Sequence, residues 1–244
     1  MKEAPGSLIW QNYVINIDES TDRLAHFKAM NIRFGREFIK VAAVTPENSD
    51  LSQVKFVSKS VAACWYSHLK VYSSFLDSHY DFAFIQEDDS LLKNLDLAHY
   101  TNFMQNHQID FLQIGFLSGT MGRRTEIYGR NFLHAFLLTV KFFAKRLSVL
   151  NWINKKPIVR EIHLENPQLV PADVRAGTHA YIISRHFARN VKGLNDPIFL
   201  AADDFYMALS RMRSFSMYRL FKSKSKQGSW KSTISPNLTP RNYS

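Results

Sequence analysis

Two hydrophobic periods take turns along this 244-residue chain, and their alternation restricts the folds open to it more than any other feature. Short runs rich in β-branched and aromatic residues read as strands: LIWQNYVINI (8–17), FIKVAAV (38–44), FAFI (82–85), DFLQIGF (110–116), THAYIIS (178–184) and SFSMYRLF (214–221). Between them lie stretches whose apolar residues recur every three or four positions. Residues 18–32 read as a helix capped by Ser20 or Thr21, with Leu24, Phe27 and Ile32 near one face. Residues 58–80 carry Val61, Trp65, Leu69, Tyr72 and Leu76 at helical spacing, and 95–107, 185–194 and 203–212 follow suit. A strand that feeds a helix that feeds a strand buries both faces of a sheet. The expectation is an α/β fold, a mixed, mainly parallel sheet flanked by helices. No internal repeat or clear linker divides the chain, so one domain over 1–244 is expected. It would carry a variable basic and aromatic stretch at about 117–175 and a polar, loop-like tail from about 222.

Bulk composition bounds the function. Hydrophobic residues make up 45% and aromatics 14%, enough to bury a core, which excludes a disordered chain. A formal charge of +10 suits polyanionic partners: nucleic acid, an anionic membrane or a phosphorylated small molecule. No nucleic-acid recognition motif occurs, and nucleic acid is not expected. A single cysteine, Cys64, excludes an internal disulfide framework and suits a reducing compartment. The first residues lack the pattern of a secretory signal. Residues 132–153 are the most apolar long stretch, but Lys141, Lys145 and Arg146 make spanning a bilayer costly. That stretch reads as a buried helix or as an interfacial one, with Phe132, Phe136, Phe142 and Phe143 among its cations. A cytoplasmic protein is expected, with peripheral contact to an inner membrane face as a possibility.

The densest negative charge in this basic chain follows an apolar strand directly: FIQEDDS puts Glu87, Asp88 and Asp89 at the carboxyl end of the third strand. Ligands of open α/β sheets bind in the crevice beyond that end. Adjacent carboxylates repel each other, and a divalent cation removes the conflict, with hard oxygens suiting magnesium or manganese. Such an ion holds a diphosphate and neutralises it as a bond to it breaks. The triplet by itself also reads as a solvated loop.

Other segments extend the pattern. YVINIDESTDR, with Asn16, Ile17, Asp18 and Arg23, resembles the opening signature of glycosyltransferase family 25, the lipooligosaccharide-biosynthesis family that includes collagen galactosyltransferases. AACWYSHLKVY, with Cys64, Ser67 and His68, resembles that family's small-residue helix, and FIQEDDS its strand running into Glu-Asp-Asp. AGTHAYIISRHFAR resembles its Gly-Thr-x-x-Tyr-x-x-Ser strand. AADDFY resembles its later acidic position, and QGSWKSTI its closing Gln and Ser, here Gln227 and Ser232. Three departures stand out: Gln86 occupies a usually apolar position, the proline ahead of the terminal Gln is missing, and 117–175 matches no known pattern.

The resemblance implies a GT-A fold and an inverting transfer of a hexose, galactose favoured, from a UDP-sugar to a glycan or lipid-linked acceptor. It implies Mn2+ or Mg2+ on Glu87, Asp88 and Asp89. Asp203 or Asp204 would be the base that takes the acceptor proton, although both also suit helix capping. Asn16, Asp18, Arg23, Ser67, His68, Gln227 and Ser232 would line the nucleotide-sugar site. Plainer roles also fit: a turn for Asn16 and Asp18, a salt bridge for Arg23, and burial for His68. Cys64 reads as core, and His179 as core or as a pocket-lining or metal-binding residue. Two rivals compete: a metal-dependent phosphoesterase or nucleotidyltransferase built on the same acids, and a catalytically degenerate membrane-binding relative.

Overall fold

A computed structural model describes residues 10–31, 37–92, 95–116, 169–212 and 215–227. The expected helix at 132–153 and Ser232 lie outside these residues.

The strands are β1 (Trp10–Asn16), β2 (Phe38–Ala42), β3 (Phe82–Glu87), β4 (Ser90–Leu92), β5 (Phe111–Gly115), β6 (Leu169–Pro171), β7 (Ala180–Ser184), β8 (Met217–Leu220) and β9 (Ser225–Gln227). The helices are α1 (Thr21–Asn31), α2 (Lys59–Leu76), α3 (Leu97–Asn106), α4 (Arg185–Val191) and α5 (Ala202–Met212). Seven strands form one sheet in the order β2-β1-β3-β7-β5-β8-β6. β1 runs parallel to β2 and to β3, and β5 parallel to β8; β7 is antiparallel to both β3 and β5, and β6 to β8. The mixed, mainly parallel α/β sheet expected from the alternating periods is therefore present. The chain leaves β1 toward β2 on one side and returns to β3 on the other. This reversal opens a crevice at the carboxyl ends of β1 and β3, where open α/β sheets bind ligands.

Both faces of the sheet are covered. Ala83 and Ile85 of β3 pack with Tyr13 and Ile15 against α2, α4 and α5, while Phe82 and Phe84 point to the opposite core beside α3. Double-sided burial explains why β3 reads as an unbroken apolar run. Gln86 interrupts that run, and its amide donates to Asn12 Oδ1 of β1 at 2.7 Å inside the sheet.

Helix α2 starts at Ser58, whose hydroxyl accepts from the Val61 N–H at 3.3 Å. Its buried face centres on Ala62, Trp65, His68, Tyr72 and Phe75, rotated from the expected stripe so that Val61, Leu69 and Leu76 are only half-buried. The guanidinium of Arg185 closes the far end, donating to the carbonyls of Phe75, Leu76, Ser78 and Tyr80 at 2.6 to 3.2 Å. These include carbonyls that a helix terminus leaves unpaired.

Two features depart from the sequence reading. The tail, expected to be loop from about 222, forms β9, which pairs antiparallel with β4 immediately after the acids. β6 arises inside 117–175, where no period is visible. Three-residue strands are too short to carry a period, and only their hydrogen-bond partners define them.

Candidate active site

The crevice is built where the carboxyl ends of β1 and β3 meet α2, α5 and the segment before β7. Glu87 ends β3, and its N–H donates to His179 O at 3.0 Å, while the Asp88 N–H donates to Ile15 O at 3.1 Å. The backbone thus fans the three acids apart, and each finds a different environment.

Glu87 is the hub. Its Oε1 accepts from Thr178 Oγ1 at 3.0 Å and lies 3.8 Å from His68 Nε2; its Oε2 lies 3.1 Å from His179 Nδ1. Burial pushes this carboxyl up, but the hydrogen bond and charge of His179, with His68 and Thr178, overcome it and hold Glu87 below the carboxylate range. The same pairing outweighs burial at His179 and raises its imidazole above the ordinary value. The two form an ion pair whose charged states support each other.

Asp88 turns toward β1. It accepts from Asn16 Nδ2 at 2.7 Å and pairs with the Arg23 guanidinium at the start of α1. Burial pushes it up to about 6, against Arg23 and Asn16. Asp89 lies 3.7 Å from Arg23 and 3.8 Å from His179 Nδ1. Ligand atoms of Glu87, Asp89 and His179 fall within 4.8 Å of one another, as do those of Cys64, His68 and Glu87. Two carboxylates and an imidazole are a donor set that suits a divalent ion such as manganese. The acids expected to act as three are divided: Glu87 and Asp89 converge with His179, and Asp88 is committed to Asn16 and Arg23.

Across the crevice, the Gly177 N–H donates to Asp203 Oδ2 at 2.7 Å. Burial raises the Asp203 carboxyl, and the charges of Glu87 and His179 reach it. Burial also raises Asp204, but the charge that reaches it is that of Arg211, further along α5. One acid of the pair faces the site, and the other belongs to its helix.

Beside Glu87 and Asp88 lies a cavity of about 470 Å³, lined among others by Ile15, Glu19, Arg23, Cys64, Ser67 and His68. Ser67 ties α2 to this wall: its hydroxyl accepts from the Val44 N–H at 2.8 Å and donates to Ala63 O at 2.8 Å. His68 is buried, and burial depresses its imidazole to about 4, with Glu87 opposing. Burial raises the Cys64 thiol well above its usual range. Asp18 sits apart, exposed and paired with Lys40 at 2.6 Å. Gln227 lies opposite Ser90 in the β4–β9 pair, one residue past the acids.

Sequence reasoning placed Thr178 and Tyr181 in the Gly-Thr-x-x-Tyr-x-x-Ser resemblance but gave them no role; their polar ends show one once β7 lies beside β3.

No curated protein matches the chain. Among solved structures it is similar to A197 from STIV, with 12% identity over 90% of this chain and 84% of that one and a TM-score of 0.45. It is also similar to a mutant UDP-glucose pyrophosphorylase from Leishmania major in complex with UDP-glucose, with 10% identity over 46% of this chain and 27% of that one and a TM-score of 0.25. The family model described as glycosyltransferase family 25 (LPS biosynthesis protein) matches residues 9–206, from the start of β1 into α5 and across every acid of the crevice. The chain belongs to glycosyltransferase family 25 and is a glycosyltransferase.

Proposed function

We propose that this glycosyltransferase has a single GT-A type domain and moves a hexose, galactose favoured, from a UDP-sugar to a glycan or lipid-linked acceptor with inversion. The observation that carries the reading is the convergence of Glu87, Asp89 and His179 at the switch point of the sheet, where Glu87 also lines a cavity of about 470 Å³. These three residues would hold a divalent ion once the His179 imidazolium has given up its proton, and when bound the ion would neutralise the diphosphate of the donor. Their mixed oxygen and nitrogen set favours manganese over magnesium.

The chain's own residues supply the rest. Asn16 and Arg23 hold Asp88, which keeps one acid out of the metal cluster and fixes the turn that presents Asp89. Arg23 lines the cavity and brings a cation to the phosphate side of the donor. Asp203 is the base for the acceptor hydroxyl: burial raises its carboxyl and so strengthens it as a proton acceptor. Gly177 holds that carboxylate from behind. Gln227 borders the site through β9 and would meet the donor there with Ser232, while Asp18 would meet the ribose only after leaving Lys40. The net charge of +10 draws in an anionic donor and suits a peripheral position at an inner membrane face. Among the described residues no helix is long and apolar enough to cross a membrane.

The test is turnover of UDP-galactose, UDP-glucose and UDP-N-acetylhexosamines with and without manganese. Sugar release from one UDP-sugar, dependent on the ion, is the expected result. Cleavage of phosphodiesters with no sugar release from any donor would replace the reading with a phosphoesterase.

A further inference from the structure

Four buried side chains line up behind Glu87, and the site described above uses only the last. Tyr206 of α5 meets Tyr72 of α2 hydroxyl to hydroxyl, Tyr72 lies 3.2 Å from the Tyr181 hydroxyl of β7, and Tyr181 lies 2.7 Å from His68 Nδ1. All three tyrosines are fully buried and His68 is 1% exposed. The other ring nitrogen, His68 Nε2, is buried with no hydrogen-bond partner and sits 3.8 Å from Glu87 Oε1.

Proton counting orders this line. Each phenol has one proton to donate, and a buried O–H without an acceptor is costly. If Tyr206 donates to Tyr72, Tyr72 to Tyr181 and Tyr181 to His68 Nδ1, every proton has an acceptor. In the opposite order Nδ1 carries the hydrogen, and Nε2 turns a lone pair toward the Glu87 carboxylate 3.8 Å away, acceptor against acceptor. The first order makes Nδ1 an acceptor, so the neutral ring carries its hydrogen on Nε2.

We propose that the Tyr206–Tyr72–Tyr181 line fixes His68 as the Nε2–H tautomer and makes it a positioning residue that supports Glu87, not a metal ligand. An N–H cannot coordinate an ion, so the Cys64–His68–Glu87 cluster is not a second metal centre in this state. A movement of under about one ångström brings Nε2–H within hydrogen-bond reach of Oε1, where it joins Thr178. Oε1 is then held from two sides, which leaves Oε2 to face His179 and the ion cluster. The inference rests on the reading of Glu87 as part of the donor site.

Selective 15N labelling of histidine and long-range 1H–15N correlation read the tautomer in the ligand-free protein, with Tyr181→Phe assigning the signal. Expected are a protonated Nε2 and an unprotonated, hydrogen-bonded Nδ1 in the wild type. In Tyr181→Phe the Nδ1 resonance moves, and Tyr206→Phe, which removes only the first donor, keeps the wild-type tautomer. In turnover of UDP-galactose with manganese, His68→Leu falls at least about tenfold, and His68→Gln, which keeps an N–H at that reach, recovers to within about threefold. A wild-type ring protonated on Nδ1, or a Zn2+ titration that shifts Nε2 as a ligand, overturns the proposal, as does His68→Gln no better than His68→Leu. Because the tautomer is read without donor, a failure to turn over any UDP-sugar sinks the donor assignment alone.

Discussion

At the scale of single residues, the site separates acids that the sequence places side by side. Asp203 and Asp204 are neighbours, yet one feels Glu87 and His179 and the other Arg211. Asp203→Asn is expected to lower turnover by about a hundredfold or more, and Asp204→Asn by less than about threefold, with unchanged melting temperatures; initial rates with the preferred donor check both. An equal loss in the two variants would remove the assignment of Asp203 as base. Gly177 holds Asp203 from a backbone φ of 96°, a conformation that side chains resist. Gly177→Ala is expected to cost about 1 to 2 kcal/mol of stability. It should also reduce turnover, because the amide that holds the carboxylate moves with the strain; denaturant melts and initial rates read the two effects. The position of Gly177 ahead of THAYIIS marks a turn, but its hydrogen bond to an acid 26 residues on is tertiary information.

At the scale of elements, the site depends on how firmly α2 and β9 are held. Arg185 binds four carbonyls at the end of α2, and hydrogen bonds to a charged donor are among the stronger ones. Arg185→Ala is expected to destabilise the protein by about 2 to 3 kcal/mol, measured by urea unfolding, with Arg185→Lys recovering only part because an ammonium lacks the planar fork. Gly115 plays the matching role for β9. A Cβ there would stand 2.5 Å from Ser225 Cβ, and Ser225 holds Ser90 through paired hydroxyls at 2.8 Å. Gly115→Ala is expected to displace β9 and cost about 1 to 3 kcal/mol, which a shift of the urea midpoint reads. The long elements were legible because periodicity accumulates over many residues; α2 spans 18. Even so, its buried face was misread by a rotation, since His68 and Phe75 are buried while Val61 and Leu76 are only half-buried. Polar His68 gave no apolar signal, yet a tyrosine hydroxyl pairs with its Nδ1 inside the core.

At the scale of the molecule, the core meets the site through Tyr72, Tyr181 and Tyr206, but its apolar layers stand apart from the acids. Two apolar layers close both faces of the sheet without any contribution from the acid cluster. Chelation of divalent ions is therefore expected to abolish sugar turnover while the far-ultraviolet circular dichroism stays unchanged, and added manganese should restore the rate. Loss of secondary structure on chelation would show that the ion holds the fold as well as the donor. The sequence by itself determined the α/β class, the order of the long strands and helices, and the acid motif at the end of β3, because each follows from local period and from residues adjacent in the chain. The tertiary structure alone decided that β7 and β6 run antiparallel, that β9 returns to β4 and that Asp88 leaves its neighbours for Asn16 and Arg23. It also decided that His179 joins Glu87 and Asp89. Each of these outcomes depends on a partner dozens of residues away, and local pattern does not encode which distant group completes a hydrogen bond or balances a charge.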